Sequence, residues 1–75
     1  MNVVITADFL GSESDADLVQ WLVADGDTVA LGQSIVALET AKSTVDFAAP
    51  AAGIITLSAA EGDLIEADQT IAVIA

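Results

Sequence analysis

The chain has 75 residues, 55% of them hydrophobic, and carries twelve carboxylates against a single cation for a formal net charge of −11. That length suits one domain, expected over residues 1–75, which buries only about 60% of its unfolded surface; with no Cys and no His, a disulfide framework and a Cys/His zinc site are both excluded. The charge repels nucleic acid and anionic lipid and favours salt-sensitive encounter with basic protein surfaces, so neither nucleic acid nor membrane is expected as a partner.

Fifteen of the hydrophobic residues are Ala and the aromatic share is 4%, so the core is expected to be thin. The longest uncharged stretch, residues 47–60, is fourteen residues interrupted by Pro50 and Gly53, whereas a spanning helix needs roughly 20 apolar residues. No basic segment precedes an apolar one at the N-terminus, and a cytoplasmic location is the expectation.

Residues 1–5 form a short β-prone run, and residues 6–17 lose hydrophobic periodicity, which predicts a strand and then an exposed loop. Alternation returns from Leu18, with Val19, Trp21 and Val23 on one face and Leu18, Gln20 and Leu22 on the other, the period of a strand. Asp25-Gly26-Asp27 ends it, since Gly accepts positive φ and Asp bonds its neighbouring backbone in turns. Thr28-Val29 resumes briefly before a turn at residues 31–33. Two β-rich arms follow, Ser34 to Glu39 and Thr44 to Ala48, before Pro50, which cannot donate to a ladder. Residues 53–59 predict a further strand, Glu61-Gly62-Asp63 another turn, Leu64-Ile65 a short segment and residues 70–74 the last strand. Several short strands with no convincing helix predict an all-β fold.

A shift of 36 residues superposes the chain on itself. It sets Trp21 over Leu57, Asp25 over Glu61, Gly26 over Gly62, Asp27 over Asp63, Val29 over Ile65, Gln33 over Gln69, Ser34 over Thr70, Ile35 over Ile71 and Leu38 over Ile74. Each half-unit is too small to bury its own apolar face. Two of them facing each other predict a flattened two-sheet barrel or sandwich with quasi-twofold symmetry. The turn between the arms, with Lys42 at its tip, then lies at one end and the chain termini near the other.

Lys42 is the one cationic side chain of the sequence. A lone lysine at a turn is ordinarily a solvated side chain, yet here lysine and arginine are absent everywhere else. A nucleophilic or Schiff-base lysine needs burial or a cationic neighbour, and its neighbours Glu39 and Asp46 are anionic, so no catalytic residue is expected. Attachment of a group by a separate ligase asks only for a presented amine.

Glu39-Thr40-Ala41-Lys42-Ser43, followed by Val45, Asp46, Pro50 and Gly53, resembles the lipoyl-attachment motif of the biotinyl/lipoyl domain family. The stretches Leu10-Gly11-Ser12-Glu13, residues 21–29 and residues 61–74 are similar to lipoyl domains of 2-oxoacid dehydrogenase acyltransferases, so the resemblance covers essentially the whole chain. It implies two four-stranded antiparallel sheets in a barrel-sandwich hybrid, with lipoate joined covalently to Lys42. It also implies recognition through Glu39, Thr40, Ala41 and Ser43 and through a surface loop at Leu10, Gly11 and Ser12. The commonest family motif has Asp before the lysine, where this chain has Ala41.

The implied partners are a lipoate ligase or lipoyl transferase, a thiamine-dependent 2-oxoacid decarboxylase, an acyltransferase core and a flavoprotein dihydrolipoamide dehydrogenase. The domain would be a carrier and not an enzyme, raising local concentration by tethering. The alternatives are a biotin carrier domain of the same fold, which typically has Met on both sides of the lysine, and an unmodified β-sandwich interaction module. Among the remaining marked residues, Gly26, Gly32 and Gly62 are assigned to turns, Gly53 to a close strand approach and Trp21 to core or rim. Paired Asp25/Asp27 and Glu61/Asp63 lack the length and ligand alternation of an EF-hand, so no metal site is expected.

Overall fold

The computed structural model describes residues 1–11 and 13–75. The elements run β1 (Asn2–Ile5), α1 (Ala7–Leu10), β2 (Asp15–Trp21), β3 (Thr28–Val29), β4 (Ser34–Glu39), β5 (Thr44–Ala48), β6 (Gly53–Leu57), β7 (Leu64–Glu66) and β8 (Gln69–Ile74). They build two four-stranded antiparallel sheets, ordered β1-β8-β6-β3 and β5-β4-β2-β7. The sheets stack as an open sandwich measuring 30 × 21 × 17 Å. The fold is therefore all-β, as the pattern predicts.

Between the sheets lie Val3, Ile5, Leu18, Ile35, Val36, Leu38, Ile55, Ile65 and Ile71, all with no exposed surface. Seven of these nine are β-branched, which suits a pleated surface where the stiff χ1 costs little. Burying each contributes roughly 1.5–3 kcal/mol. No polar side chain is buried among the described residues, so the core carries no desolvation cost to offset.

The 36-residue repeat is written in the hydrogen bonds. Asp27 accepts the Ala24 N–H through Oδ2 at 2.8 Å, and Asp63 accepts the Ala60 N–H in the same way at 2.9 Å. Gln33 Oε1 holds the Ala30 N–H at 2.9 Å, and Gln69 Oε1 the Glu66 N–H at 3.0 Å. Across the sandwich, the Asp25 carboxylate accepts the Leu57 N–H at 2.8 Å, while that of Glu61 accepts the Trp21 N–H at 3.0 Å. Each half thus caps the strand end of the other. Three of the nine aligned pairs, Asp25/Glu61, Asp27/Asp63 and Gln33/Gln69, supply side chains that replace missing ladder partners at turns.

One strand departs from this symmetry. In β2, Leu18 pairs with Leu38 but Gln20 pairs with Ala37, so β2 carries one residue more than its partner. The equivalent pairing of β6 with β8 runs without interruption through Ile55, Thr56 and Leu57. This bulge flips the side-chain parity. Leu18 points inward together with Trp21 and Val23, and Val19 is 47% exposed. The expectation that Val19 shares a face with Trp21 and Val23, opposite Leu18, is corrected accordingly.

The stretch expected to be an exposed loop also holds more structure than its pattern suggests. Thr6 caps the four-residue helix α1, its hydroxyl accepting the Phe9 N–H at 3.2 Å, and Gly11 closes it at φ 67°. β2 begins three residues ahead of Leu18, its Ala16 buried at 2% exposure. Trp21 sits at the rim, half-buried, with Nε1–H donating to the Ala59 carbonyl at 3.0 Å.

Candidate functional site

The β4–β5 hairpin ends where Glu39 pairs with Thr44, leaving the turn Thr40-Ala41-Lys42-Ser43. Tight two-residue hairpin turns ordinarily need positive φ and recruit Gly or Asn. Here neither Ala41 nor Lys42 has positive φ. The Thr40 side chain supplies what the backbone geometry withholds. Its hydroxyl oxygen accepts the N–H groups of Lys42 and Ser43, each at 3.3 Å, and its O–H donates to the Ser43 carbonyl at 3.2 Å. The Thr40 N–H donates to the same carbonyl at 2.8 Å. The remaining donor, the Ala41 N–H, goes to Glu13 Oε1 at 3.2 Å. Every backbone N–H from Thr40 to Ser43 therefore has an acceptor.

Lys42 is exposed at this tip, as are Glu39, Ala41 and Ser43, whereas Thr40 is half-buried. The strands beneath are anchored by Val36 and Leu38, both without exposed surface. A rigid base and a fully bonded turn place the lysine on a fixed stem.

The loop expected beside the lysine comprises Leu10, Gly11 and Ser12. Gly11 is exposed. Leu10, expected on the surface, is instead 6% exposed, because α1 turns it into the core and leaves Phe9 to meet the Phe47 ring edge-on at 4.8 Å. Ser12 lies outside the described residues. Glu13, which was not among the site residues expected from the sequence, is the one that reaches the turn. No local signal could single it out, since 28 residues separate it from Ala41.

Beside the turn runs an open groove of about 370 Å³, lined by Glu13, Ser14, Asp15, Asp17, Glu39, Thr40 and Ala41. Within the groove Asp17 pairs directly with the like charge of Glu39, and at its edge Asp15 pairs with Glu66 on β7. Such pairs are destabilising. Charge is also divided unequally between the sheets: the strands β5, β4, β2 and β7 carry Asp46, Glu39, Asp15, Asp17 and Glu66, while the strands of the other sheet carry no ionisable side chain. No three carboxylates among the described residues converge to hold a metal ion.

A family model described as "Biotin-requiring enzyme", for biotin- and lipoyl-attachment domains, matches residues 2–74. Over 64 residues the chain is 41% identical to the dihydrolipoyllysine-residue succinyltransferase component of the 2-oxoglutarate dehydrogenase complex of Staphylococcus saprophyticus. That alignment covers 84% of this chain and 15% of the relative, so the chain spans only a small part of the relative's length. The solution structure of the lipoyl domain of the 2-oxoglutarate dehydrogenase complex from Azotobacter vinelandii has the same fold, with a TM-score of 0.78. It is 24% identical, and the match covers 100% of this chain and 95% of that one.

Proposed function

We propose, because the chain belongs to the biotin/lipoyl attachment family, that it is a lipoyl carrier domain with lipoate joined by an amide to Lys42, serving a complex of the 2-oxoacid dehydrogenase type. The observation that carries this reading is the chain's single lysine, exposed on a turn whose backbone donors are all held by side chains or by the paired strand. The 41% identity to a succinyltransferase component supports lipoate over biotin. So do the small residues Ala41 and Ser43 on either side of the lysine.

The residues fit such a group. In the attachment step, Lys42 Nζ forms the amide bond with an ATP-activated acyl adenylate presented by a separate ligase or transferase, adenylate leaves, and the amine loses its proton and its charge. Thr40 and Glu13 hold the turn still while this happens, and the paired strands β4 and β5 transmit that fixity to the core. Lipoate bound there would supply a dithiolane able to carry an acyl group and two electrons between active sites. What the protein adds is tethering, which turns successive encounters into intramolecular ones, and a stem on which the arm has one base. Its absence of cysteine leaves no protein thiol to exchange with that disulfide.

The partners proposed on this reading are a lipoate ligase or lipoyl transferase, a thiamine-dependent 2-oxoacid decarboxylase, an acyltransferase core and a flavoprotein dihydrolipoamide dehydrogenase, in the cytoplasm. The relative's name directs the first assay to the 2-oxoglutarate complex. Intact mass of the protein after incubation with ligase, lipoate and ATP tests the proposal: a lipoyl increment is expected, and it vanishes in Lys42→Ala. A biotin increment captured by streptavidin, or no increment with either ligase, would sink the lipoyl reading.

A further inference from the structure

We propose that Glu13 is a positioning residue for attachment at Lys42: its carboxylate ties the lysine turn to the α1–β2 loop, so that a ligase meets the amine on a preformed turn. This rests on the lipoyl reading. Thr40 holds the N–H groups of Lys42 and Ser43 from within the turn, but it leaves the Ala41 N–H uncovered. Ala41 has no side chain that could satisfy it. Glu13 reaches across 28 residues to do so, its carboxylate oxygen accepting the Ala41 N–H at 3.2 Å.

The loop that carries Glu13 is itself anchored on both sides. The Glu13 N–H donates to the carbonyl of buried Leu10 at 3.2 Å. The next carbonyl, that of Ser14, accepts the Ala67 N–H at 3.2 Å. Leu10 thus fixes the loop to the core, and Glu13 passes that constraint to the residue immediately before the lysine. Buried Leu10 serves recognition through this chain of contacts, not by touching a partner. Ordering a flexible segment during binding costs free energy, and a turn ordered beforehand does not incur it.

The test uses the isotope-labelled protein with lipoate ligase, lipoate and ATP, reading attachment rate against protein concentration and, separately, hydrogen exchange at the Ala41 amide. Glu13→Ala is expected to lower kcat/KM for attachment about threefold to tenfold, the worth of one exposed charged hydrogen bond. Exchange at Ala41 is expected to quicken by a similar factor, and the urea midpoint to fall by no more than that factor implies, because the bond is absent from the unfolded chain. Glu13→Gln keeps an acceptor oxygen at the same reach and is expected to restore most of the lost rate and the slow exchange. Unchanged Ala41 exchange in Glu13→Ala would overturn the proposal. So would Glu13→Gln losing attachment as fully as Glu13→Ala, since the ligase would then be reading the charge itself. If the unaltered protein is not lipoylated at all, the carrier reading fails and the positioning role with it, while Ala41 exchange still reports whether the hydrogen bond exists.

Discussion

Gly53 and Ala16 occupy equivalent places in the two halves, Gly53 pairing with Val29 and Ala16 with Ile65, yet only one of them tolerates a side chain. A Cβ on Gly53 would lie 2.4 Å from the Ala75 carbonyl oxygen and 2.9 Å from Ile74 Cγ2. That oxygen cannot retreat, because Ile54 and Ala75 exchange two backbone hydrogen bonds there at 3.0 and 2.9 Å. In addition φ is +151°, a conformation that L residues avoid. Backbone strain of about 1–3 kcal/mol and overpacking of similar size give Gly53→Ala an expected cost of about 2–6 kcal/mol. A domain of this length has a total stability of roughly 4–11 kcal/mol. The variant is therefore expected to lose at least about 10 °C in Tm. Urea titration followed by Trp21 fluorescence checks this, with the m-value unchanged. The control is Ala16→Gly, at a position 2% exposed, where loss of one methyl and added chain entropy cost only about 1–2 kcal/mol. The reasoning is refuted if Gly53→Ala costs less than about 1 kcal/mol. Attachment at Lys42, measured below the lowered Tm, is expected to be unaffected, because Ala75 is the counterpart of Glu39 and so lies at the end of the sandwich remote from the lysine.

Thr40→Val keeps the shape of the side chain and removes the hydroxyl that serves Lys42, Ser43 and the Ser43 carbonyl. Because these bonds are long and exposed, about 1 kcal/mol of stability is expected to be lost, while attachment at Lys42 falls by a larger factor than the change in urea midpoint implies. Asp17→Asn breaks the like-charge pair with Glu39, so it is expected to stabilise the domain by about 0.2–1 kcal/mol, and the gain is expected to shrink in concentrated salt as screening shortens to about 3 Å at 1 M. A destabilised Asp17→Asn protein would show that the pair is held by something other than mutual repulsion.

The turns and the repeat were legible because their chemistry is local. Asp27 reaches back to Ala24 and Gln33 to Ala30, three residues each, so Asp-Gly-Asp and the glutamines mark their own turns, and the shift of 36 follows from matching them. Lys42 was legible for a different reason, being the one cation in an acidic chain. Its turn was less so: the absence of Gly and Asn at Ala41-Lys42 argues against a tight hairpin until the Thr40 hydroxyl is seen to take over the donors. α1 is not legible because four residues show no helical period, and its stability comes from the local Thr6 cap together with the burial of Leu10 and the edge-on contact of Phe9 with Phe47, which are tertiary facts.

The bulge in β2 marks where period-2 reasoning stops working. Alternation from Leu18 to Val23 is continuous in the sequence, and it places Val19 inside and Leu18 outside with equal ease, because both are apolar. What decides between them is the partner strand. Leu38 and Val36 are both buried, and β2 can set Leu18 opposite the first and Trp21 opposite the second only by extruding one residue between them. The equivalent strand β6 reaches the same end differently, with Ile55 and Leu57 already two apart. The extra residue therefore lengthens β2 toward the lysine end. There Asp17 and Asp15 line the groove beside the turn, and the two halves, alike in their backbone bonds and turn chemistry, cease to be equivalent in charge.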